Sequence, residues 1–164
     1  MTIIAEKDRE TIRDLLARDL DAAVELLFFT QPRSQVPDSG FQVAASCAET
    51  HELLDDLVGL AEDRLSLVVH DLTLDPSAAA RYNVSELPMV AIRRATAGAS
   101  DEMPAGEAPA NVRYVGLPAG FEFSALLADV VDVSRARTDL ADATRRTLRA
   151  IDVPIHLQVF VTPT

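Results

Sequence analysis

The sequence predicts an α/β fold in which helices flank a mixed sheet. Two short apolar runs, residues 22–30 and 65–72, are typical of buried strands, and a helical stretch separates them. Strand, helix and strand in this order predict a parallel pair that is joined by a right-handed crossover. Two further apolar runs, 89–94 and 111–117, have no helix between them and therefore predict an antiparallel hairpin with a long loop.

The composition predicts a single domain and argues against two classes of partner. The chain has 164 residues, of which 48% are hydrophobic and only 5% aromatic, so one core of mostly aliphatic side chains is expected. Its 26 acidic residues outnumber 15 basic ones, which gives a net charge of −11. Because clustered Lys and Arg bind nucleic acids and anionic membranes, neither is an expected partner.

The sequence carries no targeting, metal-binding or cofactor motif. No apolar run approaches the ~20 residues that span a bilayer, and the N-terminus lacks the basic start and apolar core of a signal peptide. We therefore expect a cytoplasmic chain. Its single cysteine, Cys47, permits no internal disulfide. The three histidines are scattered and no phosphate-binding or nucleophile motif occurs, so no metal and no cofactor are expected.

The first half of the chain contains two predicted helices. Residues 5–19 have apolar positions at helical spacing among many charges, which predicts an amphipathic helix. Residues 31–45 hold two prolines and a glycine and are typical of a loop. Ser46, followed three residues later by Glu49, matches a capping box and predicts a helix whose first residue is Cys47. Its apolar face is formed by Leu53, Leu54, Leu57, Val58 and Leu60.

The middle of the chain is punctuated by proline and glycine. Asp75 followed by Pro76 predicts a cap and first turn of a short helix that ends near Tyr82. Residues 95–110 contain two glycines, two prolines and three acidic residues, which indicates a flexible acidic loop inside the hairpin.

Two helices and a strand are predicted at the end of the chain. Apolar residues repeat at helical spacing over 123–131, and Thr138 is a plausible cap for a second helix over 138–149. Residues 153–161 are predicted to form a last strand. Left unpaired, its part 155–161 would be an exposed edge. We therefore expect it to join the chain's own sheet or to pair with a second copy, which would give a homodimer.

Seven segments of the chain resemble one known family: 27–32, 47–54, 81–84, 87–89, 114–123, 131–134 and 159–164. The most specific are Gly-Leu-Pro-Ala-Gly within 114–123 and the terminal Val-Phe-Val-Thr-Pro-Thr. Together they resemble the N-terminal half of the tandem protein disulfide oxidoreductases, or glutaredoxin-like domain proteins, in which two thioredoxin-fold units are fused. The resemblance covers most of residues 20–164.

The resemblance implies a thioredoxin-like domain with additions at both ends. A mixed four-stranded sheet flanked by helices would occupy 21–135, preceded by an extra N-terminal helix within 1–20. Residues 136–164 would hold a linker helix and an extra C-terminal strand, the first strand of a second unit that this chain does not include. The family's activity, dithiol–disulfide exchange in cell redox homeostasis, belongs to proteins with an intact Cys-x-x-Cys pair.

The resemblance also assigns site residues. Aligned on the helix, Cys47 falls on the second cysteine of the Cys-x-x-Cys motif and Ala44 on the first, so the motif is degenerate and no catalytic pair is intact. Pro88 falls on the family's cis-proline, which implies substrate docking at Leu87, Pro88 and Met89. His51 lies one helical turn after Cys47, within reach of its thiol.

Three functions fit these residues. The first is a redox-inactive half of a protein disulfide oxidoreductase-like protein, which serves as scaffold and substrate-docking unit for protein or peptide thiols and disulfides. The second is a mono-thiol redox protein that acts through mixed disulfides of Cys47. The third is a peptide-binding module with no redox role.

Overall fold

A computed structural model of the chain describes residues 3–31, 41–95, 112–153 and 155–161, without the side chains of 41–44. The predicted loops 31–45 and 95–110 lie largely outside these residues. The elements follow in the order α1 (Glu6–Asp19), β1 (Val24–Thr30), α2 (Phe41–Val58), β2 (Leu65–Asp71), α3 (Pro76–Arg81), β3 (Met89–Arg94), β4 (Arg113–Val115), α4 (Phe121–Arg135) and α5 (Asp142–Arg149).

The four strands form one mixed sheet in the order β2-β1-β3-β4. β1 and β2 are parallel, which confirms the predicted strand–helix–strand unit, and β1 pairs antiparallel with β3. β3 and β4 also pair antiparallel, with Met89 opposite Val115, as expected of the hairpin. The sheet therefore consists of the four predicted strands, and β3 has its predicted bounds.

Side chains of β1 alternate between two apolar clusters, one on each face of the sheet. Val24, Leu26 and Phe28 point into the larger cluster with residues of α1, α2 and α4. Leu27 and Phe29 point into the smaller cluster, which Ala78 of α3 and the following Tyr82 help to form. This period-two alternation is that of a strand covered on both faces.

The N-terminal helix is fixed to α2 by apolar contacts and by one carboxylate. Ile12 and Leu16 of α1 are buried in the larger cluster. Asp56 of α2 accepts hydrogen bonds from the Ile4 amide (3.1 Å) and from Nη1 of Arg9 (2.8 Å). The extra helix predicted before the domain is thus an integral part of its core.

Two hydroxyl groups bond α4 to the rest of the domain, one at the segment that precedes β1 and one at β4. Ser134, fully buried, accepts a hydrogen bond from the Ala22 amide (2.8 Å) and donates one to the Ala22 carbonyl (2.6 Å). The hydroxyl of Tyr114 in β4 donates to Asp129 in α4 (2.5 Å). Burial, followed by this bond to a carboxylate, raises the pKa of Tyr114 above its usual value.

Two predicted helix starts are wrong. α2 begins at Phe41 rather than at Cys47, because Gln42 to Ala45 contain no helix-breaking residue and Ser46 can sit within a helix as well as cap one. α5 begins at Asp142, with Ala141 at the N-cap position. The hydroxyl of Thr138 instead accepts from the Leu140 amide (3.3 Å) in the segment before the helix.

The predicted C-terminal strand is also wrong as a part of this chain's sheet. Residues 155–161 have no regular secondary structure, and their side chains are exposed. A strand exists only when a neighbour supplies the other half of its hydrogen-bond ladder. None of the four strands of the described sheet does so for this segment.

Candidate functional site

The topology brings the predicted site residues together at one end of the strands, near the carboxyl end of β1. β1 ends at Thr30, and the next described element, α2, packs back against it, with the His51 ring 5.4 Å from that of Phe28. β3 begins at Met89, which lies opposite Phe29 near the end of β1. The N-terminal half of α2 and residues 87–89 therefore both lie toward the carboxyl end of β1.

Cys47 is an interior residue of α2. Its side chain is only 4% exposed, and it lies six residues after Phe41, beyond the first helical turn. The electrostatic effect of a helix N-terminus falls off within that turn, so Cys47 lies outside the part of the helix where this effect is concentrated. Thr50, one turn further on, is fully buried, and its hydroxyl has no hydrogen-bond partner within the described ranges.

Ala44 and Cys47 both belong to α2, three residues apart, so they lie one above the other along the helix. The chain has no other cysteine, so these two positions supply one thiol, whereas a dithiol needs two. The geometry of the Ala44 side chain lies outside the described residues.

His51 serves the structure of α2 and its packing on β1. Its ring is tilted against that of Phe28, and its Nε2 lies 3.6 Å from a carboxylate oxygen of Asp55, one turn further along the helix. The imidazole is therefore engaged by an aromatic ring and a carboxylate.

Residues 87–89 form the start of β3 at the site. The Leu87–Pro88 peptide bond is cis, and the Pro88 carbonyl accepts a hydrogen bond from the Gly116 amide (2.9 Å). Met89 is buried in the smaller cluster, while Leu87 is half-buried and packs against it. Both described ladders of β3 reach Met89 and stop there, so Leu87 lies beyond the paired part of the strand.

A buried aromatic stack beneath the site escaped the sequence analysis. His70 of β2 lies opposite Phe29 in the sheet, with the two rings stacked at 4.8 Å and 12°. The Tyr82 ring lies 5.1 Å from each of them. The sequence did indicate that His70 is buried, because alternation along 65–71 places it on the same side of the strand as the apolar Val68.

Other classes of site find little support in the described residues. Across 3–31, 41–95, 112–153 and 155–161, no three His, Cys, Asp or Glu side chains are grouped so that they could hold a metal ion. Within the same residues, no helix has both the length and the apolar character to cross a membrane.

Comparison with known proteins shows the fold. No protein-family profile matches the chain, and no curated protein sequence matches it. Among solved structures, a protein disulfide oxidoreductase from Aeropyrum pernix K1 is 24% identical at a TM-score of 0.64, over 89% of this chain and 54% of that one. The N-terminal NTD_N/C domain of alkylhydroperoxide reductase AhpF from Enterococcus faecalis V583 is 19% identical at a TM-score of 0.66, over 88% and 59% respectively.

The AhpF subunit from the same organism is similar to the same degree, with 19% identity, a TM-score of 0.67 and coverage of 90% of this chain and 60% of that one. The chain thus spans between half and two thirds of the length of these structures. At such identities the similarity establishes architecture: the chain has a thioredoxin-like fold, as the sequence resemblance implied.

Proposed function

We propose that this chain is a thioredoxin-like docking module that performs no dithiol–disulfide exchange. The proposal rests on the burial of the chain's only thiol, that of Cys47 in α2. Exchange requires an accessible thiolate that attacks a disulfide and a second thiol that resolves the mixed disulfide. A single enclosed sulfur meets neither requirement.

Residues 87–89 are the surface at which we expect a partner to dock. Leu87 lies next to the buried start of β3 but beyond its ladders. This position supports the addition of an extended peptide by strand-like hydrogen bonds. The half-buried Leu87 side chain offers an apolar contact beside it. Proteins or peptides that contain thiols or disulfides are the expected partners.

The similar structures suggest a setting for this activity. By their names, they are a disulfide oxidoreductase and a peroxide reductase subunit, and both are longer than this chain. We therefore infer that the module acts in cell redox homeostasis in the cytoplasm, as the scaffold and docking half beside a redox-active unit.

Restoring the missing sulfur tests the redox half of the proposal. The unmodified protein should reduce insulin disulfides no faster than dithiothreitol alone. The variant Ala44→Cys should exceed that background by about tenfold or more, because thiols at 44 and 47 can be oxidised to one disulfide while a substrate disulfide is reduced to two thiols. Ala45→Cys, two residues from Cys47, is the matched control and should stay at background. Turnover by the unmodified chain would establish a mono-thiol enzyme instead.

Two leucines test the docking half. The probe is fluorescently labelled insulin B chain with its cysteines carboxymethylated, and its binding is followed by anisotropy. Leu87→Ala should weaken binding by about fivefold or more, a loss of about 1 kcal/mol. Leu74→Ala, at a leucine that is 84% exposed elsewhere on the surface, should leave the affinity unchanged. Equal effects of the two substitutions would refute docking at 87–89.

A further inference from the structure

The sheet has an edge strand without the usual protection. Among the described residues, β2 pairs with β1 alone, so its other edge carries no partner strand. Natural proteins blunt such edges with charged residues, proline or very short strands. β2 is seven residues long and contains no proline and no charged residue before Asp71, and Val69 in its middle is 43% exposed.

The same chain carries an unpaired segment with the pattern of a strand. Residues 155–161, here called the C-terminal arm, are seven in number, like β2, and contain neither proline nor an acidic or basic residue other than His156. Ile155, Leu157, Val159 and Val161 alternate along the arm, and these four side chains are 50–86% exposed. An uncharged, β-branched, alternating segment of this kind strongly favours pairing with another strand.

Charge distinguishes the arm region from the rest of the molecule. Only three of the 26 acidic residues fall within 137–161, against four arginines, so this region is slightly positive while the rest of the chain is strongly negative. Arg146 and Arg149 of α5 have no ion-pair partner in the described part of the chain. Exposed Glu62 and Asp63 lie shortly before β2, separated from the strand by Arg64, whose Nε is 3.7 Å from a carboxylate oxygen of Asp63. Since Arg64 already pairs with Asp63, Glu62 is a carboxylate near the open edge that has no ion pair among the described residues, and its charge is complementary to the arginines of α5.

We propose that two copies of this chain exchange their C-terminal arms, each arm adding a fifth strand to the open edge of β2 in the other copy. The alternating side chains of the arm would extend the face of the sheet that Leu65 and Leu67 help to form, and α5 would bring its arginines toward the acidic residues before β2. Because each copy offers both the arm and the edge, a two-fold arrangement closes on itself.

Sedimentation equilibrium of the full chain tests the proposal. A monomer–dimer equilibrium is expected between about 1 and 100 μM, weakened at high salt because opposite charges contribute. Val159→Pro should lower the association constant at least about tenfold, since proline removes a ladder donor, and cannot disturb the core because Val159 is exposed. Gln158→Thr, which keeps strand propensity, is the control and should associate as before.

A second variant and a second readout test the receiving edge. Val69→Lys places a charge on exposed β2 and should also weaken the dimer about tenfold, while amide hydrogen exchange at 155–161 should slow as the dimer forms. Monomers at every concentration, a dimer that Val159→Pro leaves intact, or open-ended oligomers would each overturn the proposal. Protection of the arm in a monomer would show that it folds onto its own chain, and would overturn it equally.

Discussion

At the scale of single residues, the chemistry of the molecule is limited by access to one sulfur atom. A buried thiol behaves as a small apolar side chain, whereas reactive cysteines lie in partly exposed, electropositive surroundings. Cys47 is enclosed and has Glu49 two residues further along its helix. The side chain is thus part of the buried interior around α2, and its reactivity is set by how often the surrounding structure opens.

We predict that Cys47 reacts with Ellman's reagent only when the chain unfolds locally or globally. Labelling of the native protein should be at least about a hundredfold slower than labelling in 6 M urea, because the open state of a stable domain is rarely populated. The rate should level off at high reagent concentration, where opening becomes limiting. Prompt, stoichiometric labelling under native conditions would contradict the buried position of the thiol.

Ser134 provides the second prediction at this scale. Its hydroxyl satisfies both the amide and the carbonyl of Ala22, and it is fully buried. Ser134→Ala should lower the free energy of unfolding by about 1–3 kcal/mol, since it leaves buried backbone groups without a partner. Urea denaturation measures this loss. The exposed Ser124 on the same helix is the matched control, and Ser124→Ala should change stability by less than about 0.5 kcal/mol.

At the scale of elements, α1 depends on the protonation state of one carboxyl group. Burial alone would raise the pKa of Asp56, but hydrogen bonds from Arg9 and from the backbone amides of Ile4 and Ile3 outweigh it and lower the pKa below the ordinary value of 3.8. The folded state therefore binds a proton at Asp56 less readily than the unfolded state. The resulting stabilisation is present above the unfolded pKa and is lost as pH falls through the folded pKa.

Asp56→Asn should accordingly lower stability at pH 7 by about 1 kcal/mol or more. The difference from the unsubstituted protein should shrink as pH falls from about 5 to about 2, because the native carboxyl is then neutralised as well. Thermal unfolding across this range measures the effect. Asp14→Asn, at an exposed position of α1, should show no comparable dependence, and a constant difference at all pH values would refute the role of Asp56.

Elements that the sequence predicts well are those whose own residues specify both ends. Asp75 caps α3 through the Ser77 amide (3.2 Å), with Pro76 in the first turn, and β3 is bounded by Pro88 and the loop after Arg94. The start of α2 was mispredicted because Ser-x-x-Glu spacing also occurs inside helices. That false start also made Cys47 the first residue of the helix, whereas the structure has it in the helix interior.

Contacts between distant elements could not be predicted from sequence in the same way. Residues 87–89 and the cysteine helix were assigned as site residues by the family resemblance, because no pattern within the chain links these two distant segments. The bonds of Asp56 to α1 and of Ser134 to Ala22 join residues 47–112 positions apart, and no local pattern distinguishes these side chains from exposed ones. The arm shows the same limit, because a strand-like sequence does not say which strand it pairs with.

At the scale of the whole molecule, the core and the C-terminal region are energetically separate. Buried side chains of the described residues extend from Ile4 to Ser134, and α5 buries none of its residues. The apolar residues that the structure describes beyond Ala136 are exposed, among them Leu148, Val153 and Phe160. Such a surface adds nothing to the stability of an isolated copy and becomes stabilising only when a partner covers it.

This separation predicts how stability depends on concentration. A chain that ends at Arg137 should unfold at the same temperature at every protein concentration, because it retains all the described buried residues and lacks the arm. The full chain should match it at about 1 μM and unfold several degrees higher at about 200 μM, since a partner that binds only the folded state stabilises it by mass action. Scanning calorimetry at both concentrations measures the shift. If the unfolding temperature of the full chain stays constant, no partner stabilises the arm. If the shortened chain unfolds well below the full chain at about 1 μM, the region beyond Ala136 belongs to the core.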